Sequence, residues 1–236
     1  MRAYWRQVGW ILWKELRAEW RTRQTVTSMA IFAFLVIVVF SFAFDPTRDV
    51  TRQVLPGILW IAYLFAAVLG LNRSFMVERF NDSLLGLLSA PMDRSTIYFG
   101  KAAANLLFVL LVEALSLPVF LALYDVLPDL RLEELLLVLL LGTLGFVEVG
   151  TFLSALSANS RSSELLLPLL LFPVALPVVI ASVQLTAVLL AAPAAAGAVA
   201  PGWAGLWSLP WLKVLLVYDG VFLLLPFLLF DYVLEV

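Results

Sequence analysis

Three carboxylates interrupt otherwise uncharged apolar stretches of this sequence: Glu113, Glu148 and Asp219. A carboxyl group in hydrocarbon is costly and faces a protein interior or an aqueous path. Such groups serve either contact with a substrate, partner or proton, or a hydrogen bond between helices. Asp219 follows Lys213 closely enough to suggest a pair, and Glu148 stands in the most uniformly apolar surroundings. Most other chemical equipment is missing. The chain has no Cys and no His, which excludes disulfides, thiolate metal sites, Cys nucleophiles, and His bases or ligands. It has no GxxxxGK[ST] phosphate loop for binding ATP. It has no paired intramembrane aspartates of the protease type either, so nothing supports a membrane-embedded enzyme.

The elements that must position these acids are membrane spans. Of the 236 residues, 63% are hydrophobic and only 14% charged, with a mean hydropathy of +1.02. A water-soluble fold of this length cannot hide so much apolar side chain. A span needs about 20 mostly apolar residues. Six candidates follow, at about 25–44, 55–72, 102–124, 135–157, 165–190 and 213–231. The fold class expected is therefore an all-α integral membrane protein, one transmembrane domain over residues 1–236. The apolar runs are continuous rather than alternating, which excludes a β-barrel. Residues 191–211 hold Pro193, Pro201, Gly202 and Pro210 with Trp203, Trp207 and Trp211. They read as a periplasmic or re-entrant connection, since Pro breaks helices and Trp favours the interface.

Six spans place both termini on one side of the membrane. That side would carry Arg2, Arg6, Lys14, Arg17, Arg21 and Arg23, then Arg73, Arg79, Arg94 and Lys101, then Arg161; the other has only Arg48, Arg52, Arg131 and Lys213. The positive-inside rule makes the richer side cytoplasmic. A cleaved signal is not expected, because charged, Trp-rich residues precede the first apolar run and no cleavage pattern follows it.

Residues 2–23 form an amphipathic pattern. On a helix, Trp5, Val8, Leu12, Trp13, Leu16 and Trp20 share one face; Arg6, Gln7, Lys14, Arg17 and Arg21 share the other, with Trp10 and Glu19 as misfits. This is the pattern of a helix lying in the membrane plane, either as a plain anchor or as a dock for a cytoplasmic partner. Residues 73–101 read as a cytoplasmic loop. Within it, Asn81, Asp82 and Ser83 cap a short helix of Leu84, Leu85, Leu87 and Leu88, stopped by Pro91. Leucines there need burial against lipid or a partner. The residues expected to couple this loop to a motor are Glu78, Arg79, Asp82, Leu84, Leu87, Leu88, Pro91, Asp93 and Arg94.

Several stretches taken in order resemble one family. They are Lys14-Glu15-Leu16-Arg17 and Arg21, then Pro56-Gly57-Ile58-Leu59-Trp60, then Asn72-Arg73-Ser74-Phe75. The Ser83–Leu88 helix, Pro91 and Lys101 follow, then residues 139–146 with Gly142 and Gly145, and Arg161, Pro168, Pro173 and Pro177. Together they resemble heme exporter protein B, the membrane subunit of the ABC-type complex for cytochrome c maturation. The resemblance implies a fold of the ABC-2 or type V exporter kind. It also implies a cytoplasmic ABC ATPase dimer as partner, a second copy of this chain, heme-handling membrane subunits and a periplasmic heme chaperone, all in the bacterial inner membrane. Heme is then the cargo of the complex, ATP on the partner subunit drives either heme transfer or release of the heme-loaded chaperone, and no nucleic acid is involved. A permease for polysaccharide, drug or lipid shares the general plan and is the alternative.

Tight heme binding needs an axial ligand. With His and Cys absent, Met29, Met76, Met92 and the tyrosines remain, and ordinary packing accounts for them. No cofactor is expected on this chain. Pro168, Pro173 and Pro177 are expected to kink the fifth span, as packing or as a hinge. Gly142 and Gly145 suit close helix approach, inside the bundle or at a seam between copies.

Overall fold

The computed structural model describes residues 2–44, 49–80, 93–124, 132–158, 163–190 and 203–233. Among them lie eight helices: α1 (Arg2–Thr22), α2 (Gln24–Ala43), α3 (Asp49–Phe80), α4 (Arg94–Leu123), α5 (Leu132–Ala158), α6 (Ser163–Leu190), α7 (Trp203–Ser208) and α8 (Pro210–Val233). Five of these, α2 to α6, are long and apolar enough to cross a membrane. Helix α8 is a further long apolar helix, packed against α5 and α6.

The bundle is built around α3 and α5. Helix α3 touches α2, α4, α5 and α6, while α5 touches α3, α4, α6 and α8. Burial follows this order: 72% of the most apolar stretch of α3 is buried inside the protein, against 22% for α2. Helix α2 buries only Met29, Ala33 and Ile37, one stripe at four-residue spacing. Its exposed Ile31, Leu35 and Phe42 suit contact with lipid.

Two spans are longer than their apolar runs. Helix α3 continues past Asn72 to Phe80, and α4 begins at Arg94, so much of the segment expected as a loop over 73–101 is helical. Apolar runs report only what hydrocarbon requires. A helix emerging into polar surroundings keeps its internal hydrogen bonds and takes on charged side chains. Residues 81–92, with Asp82, Leu84, Leu87, Leu88, Pro91 and Met92, lie outside the described residues.

Proline did not break the spans. Helix α6 runs unbroken through Pro168, Pro173 and Pro177, with Pro173 and Pro177 on its exposed side. Between them, the Val174 carbonyl accepts a 2.8 Å hydrogen bond from the Tyr218 hydroxyl of α8. That bond ties α8 to α6 beside the prolines, while the carbonyl that Pro177 leaves without its ladder partner is that of Pro173. Pro210, a breaker by sequence, opens α8 at a position where proline costs no backbone bond. Of the stretch 191–211, residues 203–208 form the short helix α7, and 191–202 lie outside the described residues.

The corner between α1 and α2 is chemically specified. Arg23 adopts the left-handed conformation, φ 52°, which lets the chain leave one helix and enter the next. The Glu19 carboxylate reaches across the corner and accepts the Val26 N–H at 2.8 Å. It satisfies one of the donors that a helix start leaves unpaired. Glu19, a misfit on an amphipathic wheel, is a cap.

Candidate functional site

Helix α1 has three faces, not two. Val8 and Ile11 are buried, and Tyr4 and Glu15 lie on the same stripe, at i, i+4, i+7 and i+11. This stripe meets the first turns of α4. The Tyr4 hydroxyl lies 3.0 Å from Ser95 Oγ. Gly100 makes the close approach possible: a Cβ there would sit 2.6 Å from Ile11 Cβ. Ile11, Phe75, Ile97, Tyr98, Ala102 and Ala155 form a second apolar core beneath α1.

The second face of α1 carries Trp5, Trp13, Leu16 and Trp20, all exposed, with Trp20 at 79%. The third is basic, with Arg6, Arg17 and Arg21 exposed. Leu12 and Lys14 are half-buried at the edges. Guanidinium groups lie over indole rings at three places, Arg6 on Trp10, Arg17 on Trp13 and Arg23 on Trp20, at 5.1, 4.9 and 5.8 Å. Trp10, the other wheel misfit, is thus matched to an arginine one turn away.

At the inner end of the first face is a buried cation. Lys101 is 1% exposed. Its ammonium donates to Glu15 Oε1 of α1 at 2.9 Å and to the Ser74 carbonyl of α3 at 2.6 Å, and it lies 4.7 Å from the Phe75 ring centre. Lys14 adds a second cation 3.0 Å from the same carboxylate oxygen. Burial alone would raise the Glu15 carboxyl. The two ammonium groups and their hydrogen bonds outweigh it and hold Glu15 below its ordinary range. One helical turn further along α4, Asn105 donates to Ser74 Oγ at 3.2 Å and to Thr151 Oγ1 of α5 at 3.0 Å. Four helices therefore meet at one polar knot.

That knot was not singled out as a site by sequence reasoning. Lys101 appeared as one of the charges that set topology and, like Glu15, as part of a resemblance motif. A usable signal existed: Glu15 continues the Tyr4, Val8, Ile11 stripe, so it faces protein rather than water. Of the expected coupling residues, Asp93 precedes α4 and is exposed, and its carbonyl accepts the Thr96 N–H at 3.0 Å. Arg94 is the first residue of α4. Glu78 and Arg79 belong to the last turn of α3, but their side chains lie outside the described residues.

Glu113, Glu148 and Asp219 are all buried, and their partners differ. Glu113 of α4 accepts a short hydrogen bond from Thr143 Oγ1 of α5, an interhelical tie. Asp219 of α8 lies over Gly145 of α5, where a Cβ would stand 2.6 Å from Asp219 Oδ1. Glu148 is on α5 one turn beyond Gly145. Among the described residues, neither oxygen of Asp219 and not Oε2 of Glu148 or Glu113 has a hydrogen-bond partner. The pairing of Asp219 with Lys213 does not occur. The two residues are six apart on one helix, so they point to different faces, and Lys213 is exposed.

Gly142 and Gly145 are used inside the bundle. A Cβ on Gly142 would lie 2.2 Å from Trp60 Cη2 and 2.4 Å from Ser182 Oγ. Trp60 Nε1 in turn donates to Thr186 Oγ1 of α6 at 2.9 Å. Both glycines thus face neighbouring helices of the same bundle. Met29 is packed on Gly70, where a Cβ would stand 2.6 Å from its sulfur. The hydroxyls of Tyr98 and Tyr124 bond to the carbonyls of Glu148 and Ile37. Among the described residues, no three His, Cys, Asp or Glu groups converge as a metal site would require.

Helical spans packed on an apolar core that encloses a few polar groups, with an amphipathic helix clamped to their ends, define a multi-pass helical membrane protein. The chain matches the CcmB protein family over residues 6–209, and it belongs to that family. It is 34% identical over 150 residues to a heme exporter protein B of Rhodobacter capsulatus, covering 63% of this chain and 68% of the relative. It is 31% identical over 170 residues to a heme exporter protein B of Pseudomonas aeruginosa, covering 72% and 76%. Against that of Paracoccus denitrificans it is 33% identical over 171 residues, covering 72% and 78%.

Proposed function

We propose that this chain is the permease subunit of an ABC-type complex required for heme export or delivery to the periplasm in c-type cytochrome biogenesis. Family membership and the names of the relatives support the cargo. In this reading α8 is the sixth span, both termini are cytoplasmic, and α1 is an interfacial helix in the bacterial inner membrane. The complex contains a second copy of the chain and a cytoplasmic ATPase dimer that carries ATP. Heme-handling membrane subunits and a periplasmic heme chaperone complete it. The ATPase-coupling residues are Glu78, Arg79, Asp82, Leu84, Leu87, Leu88, Pro91, Asp93 and Arg94.

The observation that carries the coupling scheme is the Lys101 knot. Helices α3 and α4 are the two ends that flank residues 81–92. The Lys101 ammonium ties the end of α3, through the Ser74 carbonyl, to α4 and to Glu15 of α1. A push on 81–92 by a closing ATPase dimer then moves α1, α3 and α4 together. Packed helices respond to such a push by sliding or rocking as units. The ATPase supplies the energy, and this chain converts it into motion around a core containing Glu113, Glu148 and Asp219.

The test is complementation of a strain lacking the gene, read by heme staining of c-type cytochromes and by co-purification of the ATPase. Wild type restores the stain and retains the ATPase. The Leu84→Asp/Leu87→Asp variant does neither, because two charges replace the apolar contact. Normal c-type cytochromes in the strain without the gene would refute the function. ATPase retention by the variant would refute the coupling assignment.

A further inference from the structure

The two solvent-facing sides of α1 differ in chemistry and adjoin each other. Trp5, Trp13, Leu16 and Trp20 lie within an arc of about 80° on the helix, at about 100° per residue. Arg6, Arg17 and Arg21 line the next arc, and all three are exposed. Helix α1 has two acids, and both are already used. Glu15 is bound by Lys101 and Lys14, and Glu19 caps α2. The basic face therefore has no carboxylate of its own helix left to neutralise it.

The tryptophans favour a membrane surface over a protein partner as the counter-charge. Indole rings concentrate at the headgroup level, with the ring buried and the N–H wet. The Arg17 guanidinium over Trp13 and the Arg6 guanidinium over Trp10 hold cations level with those rings, where phosphodiesters lie. Such a helix binds through buried apolar area together with attraction to anionic lipid. We infer that the Arg6, Arg17 and Arg21 face of α1, next to its Trp5, Trp13 and Trp20 edge, is a binding site for anionic phospholipid headgroups. The site rests on the reading of α1 as an interfacial helix and adds headgroup selection to it. Because the opposite stripe of α1 is clamped to Lys101 and Gly100, lipid bound there bears on the same knot that joins α3 to α4.

The test uses the full chain in phosphatidylcholine vesicles containing a minor fraction of acyl-brominated lipid. The brominated lipid is either phosphatidylglycerol or phosphatidylcholine, and tryptophan quenching is read. Brominated phosphatidylglycerol should quench about twofold more strongly at low salt. The excess should vanish at high salt, in Arg6→Gln/Arg17→Gln/Arg21→Gln, and in Trp5→Phe/Trp10→Phe/Trp13→Phe/Trp20→Phe. Equal quenching of wild type by both lipids, sensitive to the Trp→Phe changes, would overturn headgroup selection and leave the interfacial helix standing. Quenching insensitive to those Trp→Phe changes would overturn both. Loss of the ATPase from the Arg→Gln variant without any lipid preference in wild type would assign the basic face to a protein and overturn the site.

Discussion

Lys101 of α4, almost wholly buried, holds the Glu15 carboxylate of α1 at 2.9 Å across 86 residues of sequence. The two ends of the pair are not equivalent. Glu15 keeps Lys14 as a second partner and a side-chain exposure of 20%, while the Lys101 side chain has none. Removing the carboxylate takes a counter-charge from a fully buried cation that keeps the Ser74 carbonyl; removing the cation leaves a half-buried carboxylate that keeps the Lys14 ammonium.

The first prediction follows from that asymmetry. Removing one member of a buried pair costs about 3–5 kcal/mol, whereas replacing both with apolar or neutral groups is far milder. Glu15→Gln should lower the unfolding temperature in detergent more than Lys101→Met does. The Glu15→Gln/Lys101→Met double variant should recover most of the loss, a coupling that a double-mutant cycle measures. An equal or greater loss for Lys101→Met would mean that Lys101 is not held mainly by Glu15.

Acidity should act through the same pair. The folded Glu15 carboxyl is held below its ordinary range, burial opposing this and the Lys101 and Lys14 ammoniums prevailing. A lowered folded pKa contributes stability that is present above the unfolded value and is lost as pH falls through the folded value. Melting temperature followed downward from neutral pH should therefore fall in the acid range, and Glu15→Gln should flatten that part of the curve. The same acid slope in Glu15→Gln would place the titrating group elsewhere.

Gly142 and Gly220 should respond in opposite ways to one added methyl group. Nothing lies within 4 Å of a Cβ at Gly220, whereas at Gly142 the Trp60 ring and Ser182 Oγ stand at 2.2 and 2.4 Å. Alanine is better than glycine within a helix by about 1 kcal/mol. Overpacking a core costs about 1–3 kcal/mol. Gly220→Ala should hold or raise the melting temperature and Gly142→Ala should lower it, with Trp60 fluorescence shifted only in the latter.

The spans were legible because hydrocarbon imposes a length and a composition, and α2, α5 and α6 start and stop near the ends of their apolar runs. The extension of α3 to Phe80 was not, since polar residues in a helix and in a loop look alike in hydropathy. The Lys101 knot was hidden for a related reason. A lysine at the edge of an apolar run reads as a topology signal, and its burial depends on Glu15, which is local in space only once α1 folds back onto α4. The division of roles among the three acids was equally unreadable, because it turns on which helix faces α5. Thr143 faces Glu113 and so supplies a hydroxyl; Gly145 faces Asp219 and supplies only room.

That division yields the last prediction. Glu113 is tied to Thr143, so Glu113→Gln should keep an interhelical hydrogen bond, fold normally and support heme staining. Asp219 has two buried oxygens with no partner among the described residues, an arrangement that costs stability. Replacing it with a similarly shaped apolar group should remove that cost, so Asp219→Leu should melt higher than wild type. A stabilising change that damages activity marks a group retained for function. If Asp219 lines the working core, Asp219→Leu loses c-type cytochrome formation in complementation while its expression and melting temperature rise. Full activity in Asp219→Leu would reduce the residue to a filler over Gly145, and a large fall in its melting temperature would mean that the carboxyl has a partner after all.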